Sequence, residues 1–234
     1  MAAKTYNIVR GKRLRVTRLK SDGTPLDPGE EEALVVTKGF VSVTLSPEVE
    51  DGEDITQMNA DGDLCVSDRS RDQFRYYDVE VELCNVDPGV AELMTNATLE
   101  ENDAGDVVGI RVPEGASEGL FALELWAGSP QYEPTENGNG GRVYGYLLLP
   151  HVVPGTIGEI EVENGTTTFT MRAHTAPGAG WGEGPEGYEV VEDESGEPAK
   201  LSTPIAADEH LLIRSTSIAP PDVEIGLQPM PNGA

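Results

Sequence analysis

Apolar residues at every second position mark out the strands of this chain. Over residues 41–50, Val41, Val43, Leu45 and Val49 share one face, and Ser42, Thr44, Ser46, Glu48 and Glu50 share the other. That is the alternation of a strand with one buried side. Pro47 lacks the N–H that a ladder needs, which bends this strand or places it at an edge. The Asp51-Gly52 pair is expected to turn the chain into a return strand. Tyr77, Val79, Val81 and Leu83 alternate with Asp78, Glu80 and Glu82 in the same way. Ile160 and Val162 alternate with Glu159, Glu161 and Glu163, and Asn164-Gly165 then predicts a type I′ hairpin into 166–172. Residues 12–20 alternate around Leu14 and Val16 and stop at a Ser21-Asp22-Gly23-Thr24 turn. Further strands fit 120–126, 142–149, 188–192 and 211–217.

One short helix breaks the series. Asp87 supplies an N-cap, Pro88 the first helical position, Val90, Leu93 and Met94 an apolar stripe, and Asn96 a stop. Strands at this density with a single helix predict a mainly all-β fold, an antiparallel sandwich or barrel with a short flanking helix and long loops. The loops are expected at 127–141 and 176–187, both rich in glycine. The organisation reads as a basic arm and first strand over 1–20, a β domain over 21–219, and a Pro-rich extended tail over 220–234. No repeat of fixed period is visible.

Composition agrees with a folded body carrying irregular loops. Hydrophobic residues make up 38% of the 234, below the roughly 45–50% usual for globular chains. No apolar run is long enough for a membrane span, and no apolar h-region of a signal peptide follows the basic start. The chain is therefore expected to be made in a cytosol and to bind no membrane. Cys65 and Cys84 lack metal or redox spacing and predict neither a disulfide framework nor a zinc site.

Charge changes the picture more. The first twenty residues hold seven of the sixteen basic side chains and no carboxylate. The formal total is −26, so that +7 leaves −33 on the remaining residues. A nucleic-acid arm tethered to such a body would be opposed by the body's own field. Docking onto the acidic surface of another copy suits it better. The acidic strand faces carry a cost of their own, since like charges side by side on a sheet destabilise it by some tenths of a kcal/mol per pair. Lysine is absent between Lys38 and Lys200, which points to a selected negative field.

Motifs of chemistry fail on context. Residues 115–119 match G-x-S-x-G, but a strand follows where a nucleophile elbow needs a helix, so Ser117 is not expected to be catalytic. Residues 182–187 match G-x-G-x-x-G with two carboxylates where a pyrophosphate would sit. Residues 59–63 and 51–54 gather calcium-type oxygens, yet with Asn59 at position 1 the EF-hand register puts Leu64 at position 6 and Ser70 at position 12. Turn chemistry accounts for both. His151, His174 and His210 have no nearby ligand at metal spacing. No enzyme activity, cofactor or metal is expected.

Particular residues carry a resemblance. Residues 6–19 (YNIVRGKRLRVTRL), 39–43 (GFVSV), 65–68 (CVSD) and 77–88 (YDVEVELCNVDP) are similar to the major tail proteins of long-tailed phages that infect actinobacteria. So are 93–95, 121–126 (FALELW), 144–150 (YGYLLLP), 163–165 and 181–185 (WGEGP), in order along the chain from about 6 to 221. The resemblance implies a tail-tube subunit: a β-sandwich with a flanking helix, assembled into generally hexameric rings that stack as the conduit for the genome. It implies a place in the virion tail after assembly in the host cytoplasm, and tape-measure, terminator and tail-tip proteins as partners. Double-stranded DNA would pass through without specific binding. Members of that family often carry more cysteines, and some add a C-terminal immunoglobulin-like domain. This chain has two cysteines and a Pro-rich tail instead.

Carboxylates within about a Debye length, roughly 8–10 Å, of DNA repel it and keep it from sticking to a confining wall. Glu48, Glu50, Asp51, Glu53 and Asp54 are the candidate lining on this reading. Arg10, Lys12, Arg13, Arg15 and Arg18 are the candidate arm that joins subunits. The competing expectation is an acidic β-sandwich on the virion surface, acting in decoration or host adhesion.

Overall fold

The alternating segments pair into one large antiparallel sheet. The computed structural model describes residues 10–115, 117, 119–133, 141–162, 167–178 and 180–232. Among them nine strands join in the order β15 (Glu224–Gln228), β2 (Leu34–Thr37), β1 (Arg10–Leu19), β9 (Leu120–Glu133), β10 (Gly141–Val162), β11 (Thr167–Thr175), β6 (Gln73–Leu83) and β3 (Phe40–Glu50), with β14 (Leu212–Thr216) beside the first part of β10. The two ends of this path do not pair with each other, so no barrel closes.

The sheet folds over itself at β10. Its first part pairs with β9 and β14, and from Val152 onward it pairs with β11. Register shifts at Leu149/Val152, Pro154/Thr156 and Ile157/Ile160 are the bulges that let one 22-residue strand turn this corner. Pro154 sits at one of them, where a missing N–H costs no regular ladder bond. Buried Leu14, Val16, Phe121 and Leu123 from one half of the sheet and Val79, Val81, Leu83, Met171 and Ala173 from the other form a single core. Each of these side chains larger than alanine contributes about 1.5–3 kcal/mol by leaving water. The architecture is thus an all-β sandwich made from one bent sheet.

The helix α1 (Pro88–Met94) closes the flank of that core with Val90, Leu93 and Met94. Its N-cap is Asp87, whose Oδ1 accepts from Gly89 N at 2.9 Å. Asp87 Oδ2 accepts from Gly226 N at 2.8 Å, which ties β15 to the helix. The helix ends one residue earlier than the sequence suggests, at Thr95, whose N–H and hydroxyl both donate to Ala91 O. Asn96 instead donates its amide to Pro113 O and Gly115 O.

A second core lies on the other side of β1, β9 and β10. Ala122, Trp126, Tyr146 and Leu148 are covered there by Trp181, Tyr188, Val190, Leu201 and Ile205 of the excursion between β11 and β14, and by Met230 of the tail. The tail is therefore built into the fold: Met230 N donates to Glu30 O, and Gly29 and Ala33 donate to Met230 O and Gln228 O.

Several sequence expectations are corrected. Residues 127–133 and 141 are not loop; they continue β9 and β10, with Gly141 opposite Glu133, and 134–140 lie outside the described residues. The segments 142–149 and 159–162 are one strand, because bulges rather than turns absorb its prolines. Of 188–192 only Val191–Glu192 is strand (β12), and Tyr188 and Val190 are buried because they plug the second core. The proposed turn at Asn164-Gly165 lies outside the described residues, although 167 and 162 do pair across it. The chain does not return at Asp51-Gly52. It runs on into β4 (Asp54–Met58), returns through β5 (Leu64–Arg69), and β3 finds its partner only in β6.

The hairpin tips share one turn. Asn59 in β4–β5, Asn102 between β7 (Thr98–Glu101) and β8 (Val107–Arg111), and Asp193 between β12 and β13 (Pro198–Ala199) each accept through the side-chain oxygen from the N–H groups two and four residues on. The fourth residue is Gly62, Gly105 or Gly196 with φ of 86°, 82° and 83°, a region that favours glycine. Asn59 Oδ1, which would lead a calcium loop over 59–63, is occupied by this turn chemistry.

Candidate functional site

The core leaves the polar face of β3, β6 and β11 outside as one organised row. Register fixes it: Ser42 opposes Glu82, Thr44 opposes Glu80, Ser46 opposes Asp78 and Glu48 opposes Tyr76, while on the other side of β6 Thr170, Arg172 and His174 oppose Glu82, Glu80 and Asp78. The intervening residues Val79, Val81 and Leu83 are buried, so the pleat forces these polar side chains outward together. Four carboxylates stand there against one guanidinium. Arg172 Nε lies 3.0 Å from Glu80 Oε2, and Ser42 Oγ donates to Glu82 Oε2 at 3.2 Å. Carboxylates about 7 Å apart in water repel by about 0.6 kcal/mol, so the face holds a negative field that the core beneath must offset.

The five sequence-predicted lining residues fall around one end of this face. All are exposed. Glu48 continues the polar row, Glu50 sits 3.2 Å from Arg75 Nε, Asp51 and Glu53 lie in the connector, and Asp54 opens β4 opposite Arg69. The connector is pinned by Gly52 N donating to Asp72 Oδ1 and Glu53 N to Ser70 Oγ. Asp78, Glu80 and Glu82, which the alternation exposed but the sequence reading did not place in the lining, form the centre of the row.

β3 is also a free edge among the described residues. It ends the path of the sheet, pairing there with β6 alone, and Pro47 stands on it. Beyond it the β4–β5 hairpin projects without a core of its own, leaving Ile55, Met58, Leu64 and Val66 about half exposed or more. An isolated two-stranded hairpin is marginal in water.

The basic segment is divided. Arg10 and Lys12 are exposed, and Arg13 is half-buried with Nη1 donating to Lys12 O. Arg18 is engaged within the subunit, 3.0 Å from Glu92 Oε1 and donating through Nε to Glu32 O. Arg15 is the clear correction, being 5% exposed in the second core. Its Nη2 donates to Glu124 Oε1 at 2.7 Å and its guanidinium stacks 3.5 Å from the Tyr188 ring centroid. Tyr146 OH donates to the same Glu124 oxygen at 2.6 Å. Burial disfavours charge on Arg15, but Glu124 beside it outweighs this and holds its pKa above the ordinary value. Burial pushes Tyr188 up to about 12 and raises Tyr146 well above its usual range, with Glu124 adding to both. The signal for this pair lay in Glu124, one carboxylate inside the apolar run 120–126; Arg15 stands among four other basic residues of β1 and gave no such signal. Residues 4–9 lie outside the described residues.

Ser117 accepts from Gly119 N at 3.2 Å and is followed directly by β9, which gives no elbow geometry. Among the described residues, no group of three His, Cys, Asp or Glu side chains is arranged to hold a metal ion. Neither a protein-family model nor a curated protein matches this chain.

Proposed function

We propose that the chain is a structural subunit that assembles with copies of itself into stacked rings, forming a tube with an acidic bore that conducts double-stranded DNA, as in a phage tail. The observation that carries this reading is the bare acidic face of β3, β6 and β11 beside a free sheet edge. The opposite outer face is covered by the 176–210 excursion, whereas this one is left open to solvent. A wall for a polyanion needs such a surface, because repulsion from all sides keeps the guest centred and unbound.

Ring closure needs two different patches on each subunit. The β3 edge is one, and pairing it with a neighbour removes the exposed ladder groups of the monomer. The β4–β5 hairpin gains a core when it packs on another copy. Arg10, Lys12 and Arg13, at the exposed start of β1, supply a basic patch for an acidic neighbour. Hexameric rings and further tail partners follow from the resemblance alone.

Negative-stain electron microscopy of the purified chain at rising concentration tests the proposal. Rings or hollow tubes with a lumen wide enough for duplex DNA are expected. Solid aggregates or discrete monomers at all concentrations, with and without tail-tip components as initiator, would refute it.

A further inference from the structure

The long hairpin leaves the body at one residue. β6 pairs with β11 from Leu83 back to Asp78, opposite His174, and the strand then continues to Gln73 with β3 as its one ladder partner among the described residues. The last tie to the body is made by a side chain. Tyr77 N donates to Thr175 Oγ1 at 2.9 Å, taking the place of the next ladder bond. Thr175 is 1% exposed, and its Oγ1 lies 2.8 Å from His210 Nδ1. His210 belongs to the segment that brings the excursion back to β14, and it is 9% exposed. Its ring meets Phe74 of the hairpin edge-on, with centroids 5.1 Å apart.

Hydrogen-bond economy sets the state of this chain of three. Thr175 Oγ1 already accepts from Tyr77, and its own proton needs an acceptor in a site closed to water. His210 Nδ1 supplies it only when that nitrogen carries no proton. The arrangement therefore selects neutral His210 with its proton on Nε2. A proton on Nδ1 would turn a donor toward Thr175 and leave the buried hydroxyl proton without a partner.

We propose that Tyr77, Thr175 and His210 form an acid-sensitive clasp that fixes the root of the projecting hairpin to the segment closing the opposite face, and that protonation of His210 opens it. The groups around the imidazole are Thr175 of β11, Phe74 and Tyr77 of β6, His151 of β10 and Asp208 of its own segment. Burial lowers the pKa of His210, the positive form of His151 lowers it further, and Asp208 opposes them. A histidine lowered in the folded state stabilises above its unfolded value of about 6.5, and that contribution is lost as pH falls through the interval down to the folded value. The clasp is closed at pH 7.5 and weakens below about 6.5. This device concerns one subunit and stands whether or not the chain builds tubes.

Amide hydrogen exchange of the full chain, followed by NMR and corrected for the intrinsic pH dependence of exchange, tests it. Between pH 7.5 and 5.5 the protection of the Tyr77 amide is expected to fall severalfold, at most about tenfold per pH unit within the titration window. His210→Asn places an uncharged acceptor near the Nδ1 position and is expected to keep protection flat across that range. Thr175→Val is expected to show low Tyr77 protection at both pH values with the β6–β11 ladder intact. Nitrogen shifts of His210 are expected to report the Nε2–H tautomer at pH 7.5. A flat wild-type profile, an unchanged fall in His210→Asn, or the neutral Nδ1–H tautomer would each overturn the proposal.

Discussion

Replacing Glu124 with Leu strands a charge in the second core, and the structure sets the scale of the loss. Arg15 and Glu124 have side-chain exposures of 6% and 0%. Without the carboxylate, the guanidinium keeps only the faces of Tyr188 and Trp126, at 3.5 Å and 5.1 Å from its central carbon to the ring centroids, and Tyr146 OH loses its acceptor. A desolvated cation–π contact offsets about 2 kcal/mol, less than the several kcal/mol a buried ion costs. Breaking such a pair from one side costs about 3–5 kcal/mol. At about 2–4 °C per kcal/mol for a chain of this size, Tm should fall by about 6–20 °C. Urea unfolding read by tryptophan fluorescence suits the site, since Trp126 lies in the cluster. The double variant Arg15→Met with Glu124→Leu should recover most of the loss, because the cost lies in the orphaned charge rather than in the absent bond. A single-variant loss below about 1 kcal/mol, or a double variant as unstable as the single, would refute this account.

The same cluster predicts alkaline behaviour. Tyr188 is raised from 10 to about 12, so its contribution is full below pH 10 and fades as pH rises toward 12, by about 1.4 kcal/mol per pH unit; absorbance titration should find tyrosines that ionise only on unfolding. Asp87→Ala removes both the cap of α1 and the acceptor for Gly226, and should cost about 2 kcal/mol with faster amide exchange over 224–228. Gly155→Ala puts a Cβ 2.0 Å from Arg172 O at the corner of β10, and circular dichroism melting should show it destabilised well beyond an ordinary surface substitution. If the chain builds the proposed tube, changing Asp78, Glu80 and Glu82 to Lys should leave rings in electron micrographs but slow DNA release from particles; release at the normal rate would remove the face from the proposed bore.

Much of the sheet is readable before any coordinates. Alternation at 77–83 gives β6 with Val79, Val81 and Leu83 inside. Alternation at 41–50 gives β3, but only Val43 and Leu45 of its apolar row reach the core, while Val41 and Val49 stay exposed because β3 lies at the rim of the sheet. The Asp87-Pro88 start and the Val90, Leu93, Met94 stripe give α1. The partners are less readable. β3 skips the Asp51-Gly52 turn for β6, because the pairing energy of an eleven-residue ladder outweighs any local turn preference. Composition misreads 127–133, where Gly128 and Pro130 lie within a strand. The basic count at the start of the chain predicts a surface arm, yet β1 is interior to the sheet, and of its five basic side chains only Arg10 and Lys12 are exposed. Charge composition carries no information about depth; the apolar neighbours of Arg15 and Glu124 do.

The strand β10 is also a mechanical element. It runs unbroken from the half of the sheet that holds β1 and β9 to the half that holds the acidic face, about 70 Å of contour at roughly 3.3 Å per residue. A load applied to either half is carried along one covalent backbone with ladder bonds on its flanks. Such a subunit deforms little within itself. In an assembly of many copies, curvature is then taken up at the joints between subunits, and a tube can flex along its length while the cross-section of its bore stays constant.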